Sequence, residues 1–137
     1  MLSNKFRLSI LTSVLLTIFS CSYGQKNFQL SPKEFSIALA SNEVQLVDVR
    51  TDEEYDQEHL DKAINIDWKG DSFDEEVEAL DKSKPVYVYC RSGNRSAEAA
   101  EHMRKAGFRQ VYEMKGGMEA WQHDLFKKAP AKEEDEE

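Results

Sequence analysis

Short apolar runs recur along the chain, and polar sequence separates each of them from the next. Residues 44–49 and 86–89 are rich in β-branched and aromatic side chains and are apolar on both faces, as the buried strands of a parallel sheet are. Residues 63–66 and 111–114 form two further candidate strands. The hydrophobic pattern therefore predicts four strands.

Signals for helices stand between these runs. A Ser or Thr followed three residues later by Glu, the pattern of a capping box, occurs at Ser31, Thr51 and Ser72. A further helix is predicted from Ser96 to Lys105, where good helix formers dominate, with Gly107 as its C-terminal cap. This alternation predicts an α/β fold in which helices cover both faces of a mostly parallel sheet.

Length and composition indicate one soluble domain with additions. The 137 residues are 40% hydrophobic and 32% charged, which suits a single core, and we expect a monomer. The formal net charge of -8 repels a phosphate backbone and argues against nucleic acid as a partner. Two distant cysteines and three histidines do not make up a zinc cluster. We therefore expect no metal site and no cofactor.

The first 24 residues have the plan of an export signal. Two basic residues precede an uncharged run from Leu8 to Phe19, which is shorter than the roughly 20 residues of a membrane-spanning helix. Two processing routes remain open, namely cleavage before Gln25 or lipidation of Cys21 in a lipobox-like sequence. We expect residues 1–24 to be a signal peptide and the protein to be exported to the periplasm or cell envelope, with a possible lipid anchor through Cys21.

The opposite end of the chain has a different composition. Residues 129–137 are acidic and almost without apolar side chains, so they lack the surface that would repay the entropy of ordering. We therefore predict a folded domain over residues 25–128 and an acidic disordered tail over residues 129–137.

Cys90 follows the strongest strand signal directly, in a short loop that leads into the helix predicted from Ser96. Gly93 supplies the positive φ that such a tight turn needs. Successive N–H groups of a curled loop form an anion nest beside a helix N-terminus, and these dipoles favour the thiolate of Cys90. Arg91 and Arg95 add positive charge here to an otherwise acidic chain. Open α/β sheets bind ligands beyond the carboxyl ends of their strands, where Cys90 lies.

Attack by a thiolate on an anionic substrate suits this loop, and two reactions share that logic. One transfers sulfane sulfur through a cysteine persulfide, and the other hydrolyses a phosphate ester through phosphocysteine. Cys90 and Arg95 have C-x4-R spacing, one residue shorter than the C-x5-R of cysteine phosphatases. The smaller ring suits one extra sulfur atom better than a phosphoryl group.

Four motifs, in the right order, resemble a single-domain rhodanese, a thiosulfate or persulfide sulfurtransferase, over residues 29–125. They are LVDVR at residues 46–50, a segment from Glu54-Tyr55 to Asn65, the cysteine loop at residues 90–96, and GGMEAW at residues 116–121. In the second motif, Glu58 and Lys62 occupy positions that are usually glycine in this family. We therefore expect the turn before the second strand to differ, and the cysteine loop to be unaffected.

The resemblance implies a role for each residue of the loop. Cys90 would be the persulfide nucleophile, and the backbone amides of the loop would cradle it. The amides are those of Arg91, Ser92, Gly93, Asn94, Arg95 and Ser96. Arg91 and Arg95 would also orient a small anionic sulfur donor, while Asp48 and Arg50 would organise the neighbouring strand ends.

The implied activity moves sulfane sulfur from thiosulfate or a persulfide to cyanide or a thiol. The alternative from another functional class is a non-enzymatic persulfide carrier or a binding module with the same fold. A carrier would take up sulfur once and would not turn over. We interpret His59 as structural, His102 and His123 as exposed helix positions, and Met118 with Trp121 as core packing.

Overall fold

The computed structural model describes residues 28–40 and 44–121, together with the backbone of residues 128–129. The predicted signal peptide with Cys21, His123, and the predicted tail from residue 130 onward lie outside the described residues. Within the described ranges, no helix has the length and apolar character needed to cross a bilayer.

Strands and helices alternate along the chain as predicted. The strands are β1 (Gln29–Leu30), β2 (Gln45–Asp48), β3 (His59–Leu60), β4 (Ile64–Asn65), β5 (Val86–Tyr89), β6 (Val111–Met114) and β7 (Lys128–Ala129). The helices are α1 (Pro32–Ala40), α2 (Asp52–Gln57), α3 (Phe73–Glu78), α4 (Asn94–Lys105) and α5 (Gly117–Ala120).

Five of the strands form one sheet in the order β1-β6-β5-β2-β4, and every neighbouring pair is parallel. The prediction of a mostly parallel sheet is therefore confirmed. Because β5 is the middle strand, its carboxyl end opens at the centre of one edge of the sheet, and Cys90 is the next residue. The strand ends that surround it are those of β2 and β6.

A second, smaller sheet pairs β3 with β7 in antiparallel register, with His59 opposite Ala129. The predicted tail begins at Ala129, but the structure places this residue in strand β7. The domain therefore extends at least through Ala129. A two-residue strand carries no periodicity of its own, which is why composition alone put the boundary one residue too early.

The core lies on both faces of the main sheet. Alternate residues of β5 point to opposite sides, so Val86 and Val88 belong to one apolar cluster and Tyr87 and Tyr89 to the other. The first cluster is covered by α3 and α4, and the second by α1 and α5. Burial of one such side chain stabilises the fold by roughly 1.5–3 kcal/mol. Met118 and Trp121 are buried in the second cluster, in agreement with their interpretation as core residues.

Two of the three predicted capping boxes form. The hydroxyl of Ser31 accepts from the amide of Glu34 (3.3 Å) while the Glu34 carboxylate accepts from the amide of Ser31 (2.8 Å), and Thr51 and Glu54 make the same reciprocal pair. The prediction at Ser72 is wrong. Its backbone (φ -94°, ψ 2°) is not extended, as a capping residue must be, and its hydroxyl instead bonds to the Glu76 carboxylate.

Candidate active site

The Cys90 loop joins the centre of the sheet to the longest described helix. β5 ends at Tyr89, and α4 begins at Asn94, two residues earlier than the sequence predicts. Gly93 adopts φ 98°, a left-handed conformation that residues with a side chain rarely take. Cys90 therefore lies beneath the N-terminus of α4, as predicted.

The sulfur of Cys90 is held by three neighbouring groups. The backbone amides of Gly93 and Ser96 donate to Sγ at 3.1 and 3.4 Å, and the Ser96 hydroxyl oxygen lies 3.5 Å from Sγ. The Ser96 hydroxyl in turn donates to the carbonyl of Gly93 at 3.1 Å. Both Cys90 and Ser96 are completely buried. The two amide dipoles can stabilise a negative sulfur here, while the Ser96 hydroxyl directs its proton to the Gly93 carbonyl.

The first turn of α5 holds the loop from the other side. The amides of Met118 and Glu119 donate to the carbonyls of Cys90 (2.9 Å) and Arg91 (3.0 Å). This close approach depends on Gly117, because a Cβ at that position would lie 2.4 Å from the Cys90 carbonyl oxygen. Gly117 also adopts φ 56°. The sequence contains the Gly116-Gly117 motif, but it does not indicate that this motif lets α5 bind the carbonyls of the cysteine loop.

Asp48 and Arg50 stand at the carboxyl end of β2 and bind each other. Nε of Arg50 donates to Oδ1 of Asp48 at 2.9 Å, and Nη2 donates to Oδ2 at 2.6 Å, with both side chains buried. Nη2 also donates to the carbonyl of Glu58 at 2.6 Å. Burial alone would lower the pKa of Arg50, but the hydrogen bonds and charge of Asp48 outweigh it and raise the pKa. The pair joins two buried charges at the end of β2, and its role in organising the neighbouring strand ends stays a prediction.

Both arginines of the loop engage carboxylates. Arg95 binds Glu54 through two parallel hydrogen bonds of 2.6 and 2.8 Å, and Arg91 binds Glu119 at 3.1 Å. The hydrogen bonds from Arg95 lower the pKa of Glu54 to about 2. The sequence predicted a local excess of positive charge, whereas the structure compensates each of these guanidinium groups. Ser92 and Asn94 are exposed, and the structure brings neither side chain to the sulfur.

A cleft of about 710 Å³ lies beside the loop. Its walls are formed by Arg50, Glu54, Gln57, Glu58, Arg91, Met118, Glu119 and Trp121. Cys90 is not among these residues, and its side chain is completely buried. Glu54 and Glu119 were not predicted as site residues, because each reaches the site from a segment distant in sequence. Among the residues that the structure describes, no three metal-ligating side chains come together.

Comparison with known proteins decides the family. The model of the rhodanese-like domain matches residues 31–124, which include the Cys90 loop and both Gly116 and Gly117. The chain belongs to the rhodanese-like family. The sequence-based identification and the predicted rhodanese-like fold are thereby confirmed.

Curated relatives of this rhodanese-like domain carry sulfurtransferase names. It is 34% identical over 93 residues to the thiosulfate sulfurtransferase GlpE of Coxiella burnetii, a match that covers 68% of this chain and 85% of that protein. It is 32% identical over 110 residues to the adenylyltransferase and sulfurtransferase UBA4 of Candida albicans, of which only 25% is covered.

A solved structure agrees with the assignment. A rhodanese-like domain protein from Staphylococcus aureus superposes with a TM-score of 0.63 at 29% identity, covering 72% of this chain and 95% of that chain. The two chains therefore share a fold over nearly all of that protein, and this chain belongs to a family with sulfurtransferase members.

Proposed function

We propose that this rhodanese-like domain is a sulfurtransferase that carries sulfane sulfur on Cys90. The observation that carries the proposal is the hydrogen-bonding environment of the Cys90 sulfur, where two backbone amides and one hydroxyl contact Sγ. Backbone amides in this position stabilise the thiolate that must attack the sulfur donor, because the negative charge of the thiolate lies on Sγ. The names of the GlpE and UBA4 relatives support the same chemistry.

The reaction has two balanced steps. The Cys90 thiolate attacks the sulfane sulfur of a donor, a new S–S bond forms, and the bond to the rest of the donor breaks with its electron pair. With thiosulfate the products are a Cys90 persulfide anion and sulfite. In the second step cyanide or a thiolate attacks the outer sulfur, and the S–S bond breaks with its electron pair going to Cys90. The Cys90 thiolate is thereby restored, and the product is thiocyanate from cyanide or a new persulfide from a thiolate.

Sulfur transfer fits this loop better than phosphoryl transfer. Cys90 is completely buried, and α4 begins only four residues after it. A single added sulfur extends the side chain by one atom, whereas a phosphoryl group needs donors for three equatorial oxygens. In this C-x4-R loop the amides of Gly93 and Ser96 both donate to a single atom, Sγ of Cys90. That arrangement suits the addition of one sulfur atom better than the addition of a group with three oxygens.

The experiment is a single-turnover measurement on the full chain. The protein is incubated with thiosulfate, the mass of one added sulfur atom is located by peptide mapping, and cyanide is then added to release thiocyanate. We expect the sulfur on Cys90, with Cys90→Ser inactive and the matched variant Cys21→Ser fully active. Repeated turnover supports the enzyme, whereas a single discharge without cycling would identify a carrier. Hydrolysis of p-nitrophenyl phosphate that depends on Cys90 would contradict the proposal.

We also propose that the protein acts after export, on the strength of the uncharged run before residue 20 and the small residues after it. The intact mass of the protein from fractionated cells tests this. We expect a chain that begins at Gln25 or at a lipidated Cys21. A chain in the cytosol that still begins at Met1 would contradict export.

A further inference from the structure

The positive charges around the Cys90 loop are compensated by carboxylates. Three arginines surround it, and each pairs with a carboxylate: Arg50 with Asp48, Arg95 with Glu54, and Arg91 with Glu119. The walls of the adjoining cleft carry two guanidinium groups against three carboxylates. A dianion that enters the cleft therefore meets no net positive field from these walls.

The two outer pairs differ in how firmly they are held. The Arg95–Glu54 pair is bidentate and largely shielded, with 20% and 27% of the two side chains exposed. Such geometry is strong and specific, so Glu54 keeps Arg95 from serving an incoming anion. The Arg91–Glu119 pair is mostly exposed, at 69% and 57%, and salt screens it more readily. Both carboxylates face the cleft.

The cleft also has an apolar part. Met118 and Trp121 line it and are otherwise buried in the core. A donor with a hydrocarbon group can bury that group against these two side chains, and each buried methylene contributes about 0.8 kcal/mol. Thiosulfate has no such group and carries two negative charges. Charge and apolar contact therefore favour the same class of donor.

We propose that this site takes its sulfur from a singly charged or uncharged organic sulfane-sulfur compound, such as an alkyl persulfide, in preference to a dianion, and that Glu54 and Glu119 set this preference. The inference rests on the sulfurtransferase function proposed above and narrows its substrate class. Glu54 and Glu119 act through the field at the cleft and through the arginines they hold, and they take no part in bond making.

Two donors with the same transferable sulfur test the inference. Thiosulfate is a dianion, and methanethiosulfonate carries a methyl group in place of one charged oxygen, so it is a monoanion. The measurement is kcat/KM for each donor with cyanide as acceptor, in the wild type, Glu54→Gln and Glu119→Gln. Glu101→Gln is the control, because it removes the same charge from an exposed pair with Lys105 in the second half of α4.

We expect the ratio of kcat/KM for methanethiosulfonate over thiosulfate to fall about three- to tenfold in each test variant, since each removes one negative charge that repels the dianion more than the monoanion. The ratio should stay unchanged in Glu101→Gln, and the effect should shrink at high ionic strength. Intrinsic donor reactivity cancels, because only the change in the ratio between variants is used.

The outcomes separate the two proposals. Turnover of both donors with the same ratio in the wild type, Glu54→Gln and Glu119→Gln would overturn the inference and leave the sulfurtransferase function standing. Absence of a Cys90 persulfide with either donor would overturn the function and the inference with it. If Glu54→Gln unfolds because Glu54 also caps α2, Glu119→Gln decides alone, since the Glu119 side chain is exposed.

Discussion

The strands β2 and β5 end side by side, with Asp48 opposite Tyr89, yet the residues at their two ends are satisfied in opposite ways. At the end of β2, the buried charges of Asp48 and Arg50 bind each other through two hydrogen bonds. At the end of β5, the groups that hydrogen-bond to the buried sulfur of Cys90 are two backbone amides and a hydroxyl, which are all neutral. The Asp48–Arg50 pair requires both of its charges to stay as they are, whereas the sulfur of Cys90 can gain a negative charge while its hydrogen-bonding neighbours stay neutral.

This difference separates scaffold from chemistry. Loss of either partner of a buried ion pair strongly destabilises the folded protein, because the remaining partner is left buried with an uncompensated charge. A thiol in a cradle of amides can become a thiolate or a persulfide without breaking any ion pair. Substitutions at the end of β2 should therefore lower the free energy of unfolding, and substitutions around Cys90 should lower the rate of sulfur transfer.

The largest effect is expected for Asp48→Asn. The substitution keeps the shape of the side chain but leaves the buried guanidinium of Arg50 uncompensated, at a cost of about 3–5 kcal/mol in the free energy of unfolding. Urea denaturation of the purified variant measures this loss. The control is Asp74→Asn, which removes an exposed carboxylate that contacts His102 and should cost about 0–1 kcal/mol. Equal losses in the two variants would contradict a bracing role for Asp48.

A smaller loss is expected for Gly117→Ala, which attacks the contact between α5 and the cysteine loop. The new Cβ would lie 2.4 Å from the Cys90 carbonyl oxygen, and overpacking of this kind costs about 1–3 kcal/mol beyond the strain of a positive φ. Gly107→Ala is the matched control, because Gly107 has φ 102° but a Cβ there would meet only Cδ of the flexible Lys82 side chain, at 3.9 Å.

Thermal and urea unfolding of the two glycine variants separate the clash from the backbone strain that they share. Gly117→Ala should be the less stable of the two and should also transfer sulfur more slowly, since the loop carbonyls must move. Gly107→Ala should keep the wild-type rate. A Gly117→Ala protein with the stability of Gly107→Ala and full activity would show that α5 does not hold the loop.

The parts of the site that the sequence predicts are those with local signals. The run at residues 86–89 is β-branched and aromatic throughout, and it became the central strand. Gly93 has the positive φ that the tight loop demands. Lys62 stands where the family pattern has glycine, and it adopts φ 64°, a left-handed conformation that glycine takes most readily. The family pattern therefore marked a position where the backbone of this chain is unusual, although the residue itself is not glycine.

The rest depends on contacts that no local pattern encodes. Glu54 meets Arg95 across 41 positions of sequence, and Glu119 meets Arg91 across 28. The sequence places two arginines beside the predicted anion site. It does not indicate that carboxylates from distant segments pair with both of them in the folded protein. The capping box at Ser72 failed for a related reason, because the motif fixes the residue types and the backbone conformation decides whether they meet.

The smallest loss of stability, and the clearest separation of stability from chemistry, is expected for Ser96→Ala. It removes the hydroxyl that lies 3.5 Å from Sγ and donates to the Gly93 carbonyl. Loss of one such hydrogen bond costs about 1 kcal/mol in stability. Once Cys90 is ionised, the Ser96 hydroxyl can turn its proton from the Gly93 carbonyl to Sγ, so loss of the hydroxyl should slow persulfide formation about tenfold, which corresponds to about 1.4 kcal/mol in the barrier.

Ser36→Ala supplies the matched control, because Ser36 is also a buried helical serine whose hydroxyl donates to the carbonyl three residues before it, that of Lys33, at 2.7 Å. Urea denaturation should give the two variants similar losses, since each loses one hydroxyl bond of the same kind. Stopped-flow measurement of sulfur uptake should then show a slow Ser96→Ala and an unaffected Ser36→Ala. Equal rates in both would mean that the amides of Gly93 and Ser96 stabilise the sulfur by themselves, and that the hydroxyl only supports the turn.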